Sequence, residues 1–180
     1  MRWDALFDDL EAQWSAQQAH QLEADVAQAV EWERAQILLV NRLRAGVGAQ
    51  LQLKLQGGSE RSLLVQSVGA DWVSGHAGAQ SLLIPVRAIA SVEALPSRAQ
   101  PETSGARRLL GIGSPLRALA RSRETVTVEG PGGELGHGVI TGVSADHLDV
   151  AVPGSSVPAV RTQPRIRTIA LASVVLVRSM

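Results

Sequence analysis

The chain has 180 residues, of which 45% are hydrophobic and 19% charged, and its 17 basic residues balance its 17 acidic ones. This length accommodates one ordinary domain or two small ones, and the apolar content excludes a wholly disordered chain. Cysteine is absent, which excludes disulfides, thiolate metal sites and cysteine nucleophiles.

The charge is balanced over the chain but not along it. Residues 1–36 contain eight acidic residues and two arginines, a net charge of −6, so the remainder carries +6. Sixteen of the seventeen basic residues are arginine. An acidic arm on a mildly basic body predicts that the arm docks on the chain itself, or that a partner recognises surface charge of one sign.

Residues 4–44 are predicted to be helical, because Ala, Gln, Glu and Leu dominate and neither Gly nor Pro occurs before Gly46. One face carries a first apolar stripe, made of Trp3, Phe7, Leu10 and Trp14. A rotated face carries a second apolar stripe, made of Leu22, Val26, Val30, Ile37 and Val40. The offset predicts either a break near residues 15–20, where Ser15–Gln18 resembles a capping box, or two faces that meet different neighbours.

The first apolar stripe has two interpretations, ordinary core packing and a docking or dimerising arm. Leaving four such side chains in water would create an apolar patch that monomers avoid. We expect the second apolar stripe to pack on the rest of the chain. We expect the first apolar stripe, as the partner-binding site, to meet a partner protein or a second copy.

The pattern changes to strands after Gly46. Leu51, Leu53 and Leu55 alternate with polar residues, and the Gly57-Gly58 pair is a hairpin signal. Further short strands follow between turns as far as residue 95, which predicts a small five-stranded barrel.

A segment rich in Pro and Ser, residues 96–113, is predicted to be a linker. Ser114 then precedes Pro115 as an N-cap, opening a short helix that ends near Ser122. Strands resume at Val126. The predicted organisation is a helical arm (1–45), a first barrel (46–95), a linker (96–113) and a helix plus second barrel (114–180).

The second half repeats the first. With a shift of 75 residues, Leu51–Val73 aligns with Val126–Leu148 without a gap, and with a shift of 85 residues Ile84–Val92 aligns with Ile169–Val177. Apolar, glycine and aspartate positions coincide, including Asp71 with Asp146. Both aspartates are predicted to stabilise their turns by bonding nearby backbone. The repeat predicts a mostly β protein in which two tandem five-stranded barrels are each preceded by a helix.

A helix followed by five bent strands, with glycines after the first strand, resembles the Sm-like (SH3-type) barrel. The resemblance covers about residues 37–95 and 112–180. The loop that carries an Asp-x-x-Met-Asn type signature in Sm-like proteins here reads Gly-Ala-Asp71-Trp72 and Ser-Ala-Asp146-His147, without the asparagine. The resemblance therefore implies the fold but not the RNA site.

The opening segment Met1–Glu11, together with the Gly-Ala-Asp-Trp turn, is similar to an uncharacterised actinobacterial family whose members are sometimes labelled Fis-type transcriptional regulators. A Fis-type DNA-binding protein has a helix-turn-helix at its C-terminus. Residues 168–177 are instead β-branched and strand-like, so the sequence does not predict a DNA-reading helix there.

Motifs for catalysis are sparse. The histidines at 137 and 147 lack metal-ligand spacing, and no Gly-x-Ser-x-Gly elbow occurs. We therefore expect no metal, no cofactor and no enzymatic activity. The acidic start differs from a signal peptide and the apolar stretch 169–177 is too short to cross a bilayer, so we expect a cytoplasmic protein.

Two functions from different classes remain. The first is a protein-interaction or adaptor module that uses the helical arm. The alternative is an RNA- or DNA-binding regulator whose candidate phosphate-binding residues are Arg107, Arg108, Arg117, Arg121 and Arg123. Trp72 is the only aromatic residue beyond the arm, so platforms for base stacking are scarce, and the protein-interaction function is favoured.

Overall fold

The computed structural model describes residues 3–153 and 165–179, without the side chains of residues 3–13, 15, 16, 19 and 24. It divides into two compact units, Met1–Ile37 and Leu38–Met180. Within the described residues, no helix combines the length and the apolar character needed to span a membrane.

The first unit consists of one helix, α1 (Trp3–Ala35). The helix runs without interruption through residues 15–20, so the break considered there is absent. Good helix formers cover that segment, and their backbone preference outweighs the capping box. The interruption falls later, at Leu38, whose backbone is extended (φ −77°, ψ 143°).

The described residues of the second unit form three α-helices, two short 3-10 helices (Val86–Ala88 and Leu171–Ser173) and ten strands. The helices are α2 (Leu39–Ala45), α3 (Gly105–Arg108) and α4 (Gly113–Ser122). The strands of the first half are β1 (Gln50–Leu55), β2 (Glu60–Val68), β3 (Trp72–Ala77), β4 (Gln80–Pro85) and β5 (Ile89–Glu93). Those of the second half are β6 (Thr125–Gly130), β7 (Gly133–Val143), β8 (His147–Val152), β9 (Arg165–Ala170) and β10 (Leu176–Ser179).

All ten strands form one antiparallel sheet, in the order β5-β1-β2-β3-β4-β10-β6-β7-β8-β9. The prediction of two separate closed barrels is therefore wrong, although the protein is mostly β with an N-terminal helix. The physical reason is β10, which pairs with β6 on one side and with β4 on the other. We call the β4–β10 contact the seam; it continues the sheet from one half into the other.

The pairing register is the same in the two halves except at the end of the β6–β7 hairpin, where a one-residue shift after Val128 places Glu129 opposite Glu134. Gln50 lies opposite Leu64 in the first half, and Thr125 lies opposite Val139 in the second. When 75 is added to the residue numbers of β3 and 85 to those of β4, the β3–β4 pairs become the β8–β9 pairs. The same additions to β1 and β5 turn their pairs into β6–β10 pairs. The hydrogen-bonded backbone of the two halves thus follows one plan.

The buried side chains form two clusters that exchange residues across the seam. Leu83 of β4 packs in the cluster of the second half, while Leu176 of β10 packs in that of the first. Glu129 adds an ionic link between the halves, with its carboxylate 3.3 Å from the Arg61 guanidinium and 2.8 Å from that of Arg178. Each half therefore contributes side chains to the cluster of the other.

The helices α2 and α4 cover this sheet through Leu43 and Leu116, which are both fully buried. α4 begins at Gly113, earlier than predicted, so Ser114 lies inside the helix and is not its N-cap. Ile112 occupies the cap position and its own side chain is buried. Burial of this side chain fixes where the helix starts, although isoleucine is a poor capping residue.

Candidate functional site

The surface of α1 carries large apolar side chains. Trp14, Leu22, Val26, Val30 and Trp32 are exposed by 68%, 67%, 56%, 40% and 70%. The packing of the second apolar stripe on the rest of the chain stays a prediction, since α1 belongs to a separate compact unit. Those side chains lie in a helix of which every described side chain is exposed. The side chains of Trp3, Phe7 and Leu10, the other members of the first stripe, lie outside the described residues.

Trp32 is a residue that the sequence reasoning missed. It follows Trp14 by 18 residues, which is about five turns of a helix, so the two indoles project from the same side about 27 Å apart. The signal was present in the sequence as this 18-residue spacing. It was overlooked because a break near residues 15–20 would have removed the relation between the two tryptophans.

The electrostatic setting of these tryptophans is acidic. α1 contains eight acidic residues and one arginine, a net charge of −7. Trp32 lines a shallow groove together with Ala29 and the carboxylates of Asp25, Glu31 and Glu33. An exposed indole on a helix rich in carboxylates suits a partner group that is apolar in part and cationic at its edge.

The five candidate phosphate-binding arginines lie on consecutive helices at the start of the second half. Arg107 and Arg108 end α3, Arg117 and Arg121 lie one turn apart on α4, and Arg123 follows it in a left-handed conformation. All five are exposed. The Arg108 guanidinium donates to the Glu102 carbonyl at 2.7 Å. Within the part of the chain that is described, none of the five forms an ion pair.

Asp71 and Asp146 lie in corresponding turns. Their backbone bonds match, because the Asp71 carbonyl accepts from the Val86 N–H at 2.8 Å and the Asp146 carbonyl accepts from that of Leu171 at 2.7 Å. Their carboxylates differ. The Ile112 N–H donates to Asp71 Oδ1 at 2.7 Å, across 41 residues of chain. The predicted bond to nearby backbone is therefore replaced at Asp71 by a tie to the segment that precedes α4.

The carboxylate of Asp146 instead lies beside an imidazole, with Oδ1 2.6 Å from Nδ1 of His147. The hydrogen bond to His147 and the attraction of its ring lower the pKa of Asp146 below its ordinary value. The Asp146 side chain is 89% exposed, so this contact is a surface feature.

Further contacts that the sequence did not signal hold the connecting segment between the halves. The guanidinium of Arg44 donates to the carbonyls of Gly69 and Gln100 and lies 3.5 Å from the Glu102 carboxylate. The Trp72 indole N–H donates to the Leu110 carbonyl at 3.0 Å. Trp72 is therefore engaged in fastening this segment, and its indole N–H is not available to a ligand.

A cavity of about 360 Å³ lies where α4 meets β3, β4 and β10. Its wall combines apolar side chains of Leu82, Leu119 and Val177 with serine hydroxyls at its edge, and Glu124 is its ionisable residue. Among the residues that are described, no group of three or more His, Cys, Asp or Glu side chains is arranged to hold a metal ion.

Comparisons with family models, with curated proteins and with solved structures found no match. The relation to an actinobacterial family stays a prediction. Function is therefore argued from the surfaces of this chain alone.

Proposed function

We propose that this protein is a non-catalytic interaction module in which α1 docks a partner protein. The observation that carries the proposal is the exposure of five large apolar side chains on α1, with Trp14 and Trp32 on one side and Leu22, Val26 and Val30 on a rotated face. Burial of a side chain of this size is worth about 1.5–3 kcal/mol. Large apolar side chains exposed in this number mark protein contacts.

The charge of α1 favours one kind of partner. Two copies of a helix that each carry −7 repel one another, so pairing of α1 with α1 is disfavoured. A protein surface with an apolar centre and a basic rim satisfies both the tryptophans and the carboxylates around Trp32. The proposed setting is the cytoplasm.

The test is capture of a partner by the full chain from lysate with and without nuclease treatment, followed by a binding measurement with the captured protein. The variant Trp14→Ser/Trp32→Ser removes both indoles. The matched control is His20→Ser/Ala27→Ser, on the opposite side of α1. We expect the control to bind as the wild type does and the tryptophan variant to bind at least tenfold more weakly.

Two outcomes would contradict the proposal. Equal binding by the tryptophan variant would place the docking surface elsewhere. Loss of the captured protein on nuclease treatment would show that nucleic acid bridges the two proteins.

A second candidate function rests on the arginines around α4. Arg117, Arg121 and Arg123 are exposed, and no ion pair is described for them. Free guanidinium groups of this kind contact phosphates. The function that this surface supports is binding of RNA or DNA through the backbone, with little reading of sequence.

A further inference from the structure

The cavity where α4 meets β3, β4 and β10 has a floor made by one face of the sheet at the seam. Leu83 of β4 is paired with Val177 of β10. Ser81 is paired with Ser179 two residues further along each strand, so all four residues lie on the same face. Ser74 of β3 is paired with Leu83 and adds a third hydroxyl to that face. The floor therefore has an apolar centre with hydroxyl groups beside it.

The helical wall of the cavity is one side of α4. Pro115, Ala118, Leu119 and Ser122 line the cavity, and their spacing of three and four residues places them on the same side of the helix. The cavity measures about 360 Å³, a volume within the range of small-molecule sites. A largely apolar interior with a few polar groups is typical of such sites.

The first half uses the corresponding side of its helix in a different way. With the 75-residue shift, Leu119 corresponds to Arg44 of α2. The Arg44 guanidinium donates to the Gln100 carbonyl at 3.2 Å and lies 3.5 Å from the Glu102 carboxylate. The connecting segment thus contacts α2 at this position, whereas among the described residues a cavity lies beside Leu119. The second half therefore offers an apolar space where the first half makes polar contacts within the chain.

The polar groups that α4 and its C-terminal end contribute to the cavity select a hydrogen-bond donor. The Ser122 hydroxyl donates its proton to the Leu119 carbonyl at 3.0 Å, so toward a ligand it can only accept. Glu124 is exposed at the edge of the cavity, and an ionised carboxylate is also only an acceptor. No ion pair of Glu124 is found within the described part of the chain. A positively charged group with N–H donors suits both residues.

We propose that this cavity binds a small molecule that combines an apolar body with a primary ammonium group. The apolar body lies against Leu83, Leu119 and Val177. The ammonium group lies at the edge, where it donates to the Glu124 carboxylate and the Ser122 hydroxyl. The proposal adds a small-molecule site to the chain and does not rest on either function proposed above.

The probe is n-octylamine, and n-octanol and n-octanoate are comparison ligands of the same chain length. Isothermal titration calorimetry of the full chain measures the three affinities, and amide NMR shifts locate the site. We expect n-octylamine to bind about three- to fivefold more tightly than n-octanol, which is the contribution of an ion pair at an exposed carboxylate. We expect n-octanoate to bind more weakly than both, because its charge is repelled by Glu124. The amide shifts should fall in α4, β4 and β10.

Two variants test the two parts of the site. Glu124→Gln removes the charge at nearly constant size, so it should lower the affinity for n-octylamine about three- to fivefold and leave that for n-octanol unchanged. The matched control is Glu134→Gln, an exposed position on β7, which makes the same change of charge away from the cavity. Ala118→Phe fills the cavity from an exposed position and should abolish binding of both ligands. Circular dichroism checks that each variant folds.

Several results would overturn the proposal. A wild type that does not bind n-octylamine, or binds n-octanoate equally well, would do so. Binding that survives Ala118→Phe, or amide shifts confined to α1, would place the probe elsewhere. Met180 lies outside the described residues and follows Ser179, which lines the cavity. If Met180→Ala binds n-octylamine and the wild type does not, the cavity is occupied by the chain itself and the proposed ligand is wrong.

Discussion

Asp71 and Asp146 occupy the same position in the two halves but stabilise the molecule differently. Asp71 accepts the N–H of Ile112, a residue that is 5% exposed. Asp71→Ala leaves that buried donor without a partner, so we expect the free energy of unfolding to fall by about 1–3 kcal/mol. Urea unfolding followed by circular dichroism measures the difference.

The control for this prediction is Asp146→Ala in the corresponding turn. Its carboxylate contacts a side chain at the surface, and we expect a much smaller change in the free energy of unfolding than for Asp71→Ala. Equal losses in both variants would show that the turn, and not the tie to Ile112, needs the aspartate.

The contact between Asp146 and His147 makes a prediction about titration. Because the imidazole lowers the pKa of Asp146, His147→Ala should raise that pKa toward its ordinary value in an NMR titration. A carboxyl with a lowered pKa in the folded state stabilises the fold above its unfolded pKa, and this contribution is lost as the pH falls through the folded pKa. An unchanged Asp146 titration in the variant would contradict the assignment.

At the scale of residues, the sequence supports some predictions and not others. The repeat identified Asp71 and Asp146 as equivalent, because both follow a strand and start a turn. It did not reveal the bond to Ile112, since a contact across 41 residues leaves no local pattern. Exposure of the α1 apolar side chains was likewise hidden, because helical periodicity is the same for a buried stripe and an exposed one.

At the scale of elements, the seam is the feature with the largest consequence for stability. Leu83 belongs to the first half but packs in the cluster of the second. Leu83→Ala should therefore lower the free energy of unfolding by about 2–5 kcal/mol, and the two halves should still unfold in one transition. Chemical denaturation followed by fluorescence and by circular dichroism should give coincident curves.

A suitable control is Leu64→Ala, since Leu64 is 45% exposed in β2, two strands away from β4 in the sheet, and should change stability by much less. Two separate transitions, or non-coincident curves, would mean that each half folds independently of the other.

The helix α4 allows a direct test of the nucleic-acid function. If its arginines bind phosphates, affinity for an RNA or DNA oligomer falls steeply with salt, and Arg117→Ala/Arg121→Ala/Arg123→Ala reduces the slope by about 2–3 units. Arg98→Ala, outside this surface, is the control. Absence of binding at low salt, measured by fluorescence anisotropy, would remove this function.

The repeat also explains how much of the secondary structure can be predicted from the sequence. Alternation at Leu51, Leu53 and Leu55 marks β1, and the two shifts carry the register of one half into the other. The seam could not be predicted, because the pattern of apolar and polar residues along a strand does not indicate which strand edges pair. The end of α1 at Ala35 was missed since neither Gly nor Pro marks it.

At the scale of the whole molecule, the chain consists of an acidic helical unit and a basic sheet unit. Residues 38–180 carry fifteen basic and nine acidic residues, a net charge of +6. The described buried residues of both clusters, together with the partly buried ones around them, lie at Leu39 and beyond. The sheet unit thus has its own interior, and our proposal assigns α1 to binding.

The measurement that tests this assignment most directly is the free energy of unfolding of residues 38–180 beside that of the full chain. Because every described side chain of α1 is exposed, we predict that the two values agree within about 1 kcal/mol. A shortened chain that fails to fold, or that loses several kcal/mol, would show that α1 belongs to the core and would contradict its assignment as a docking arm.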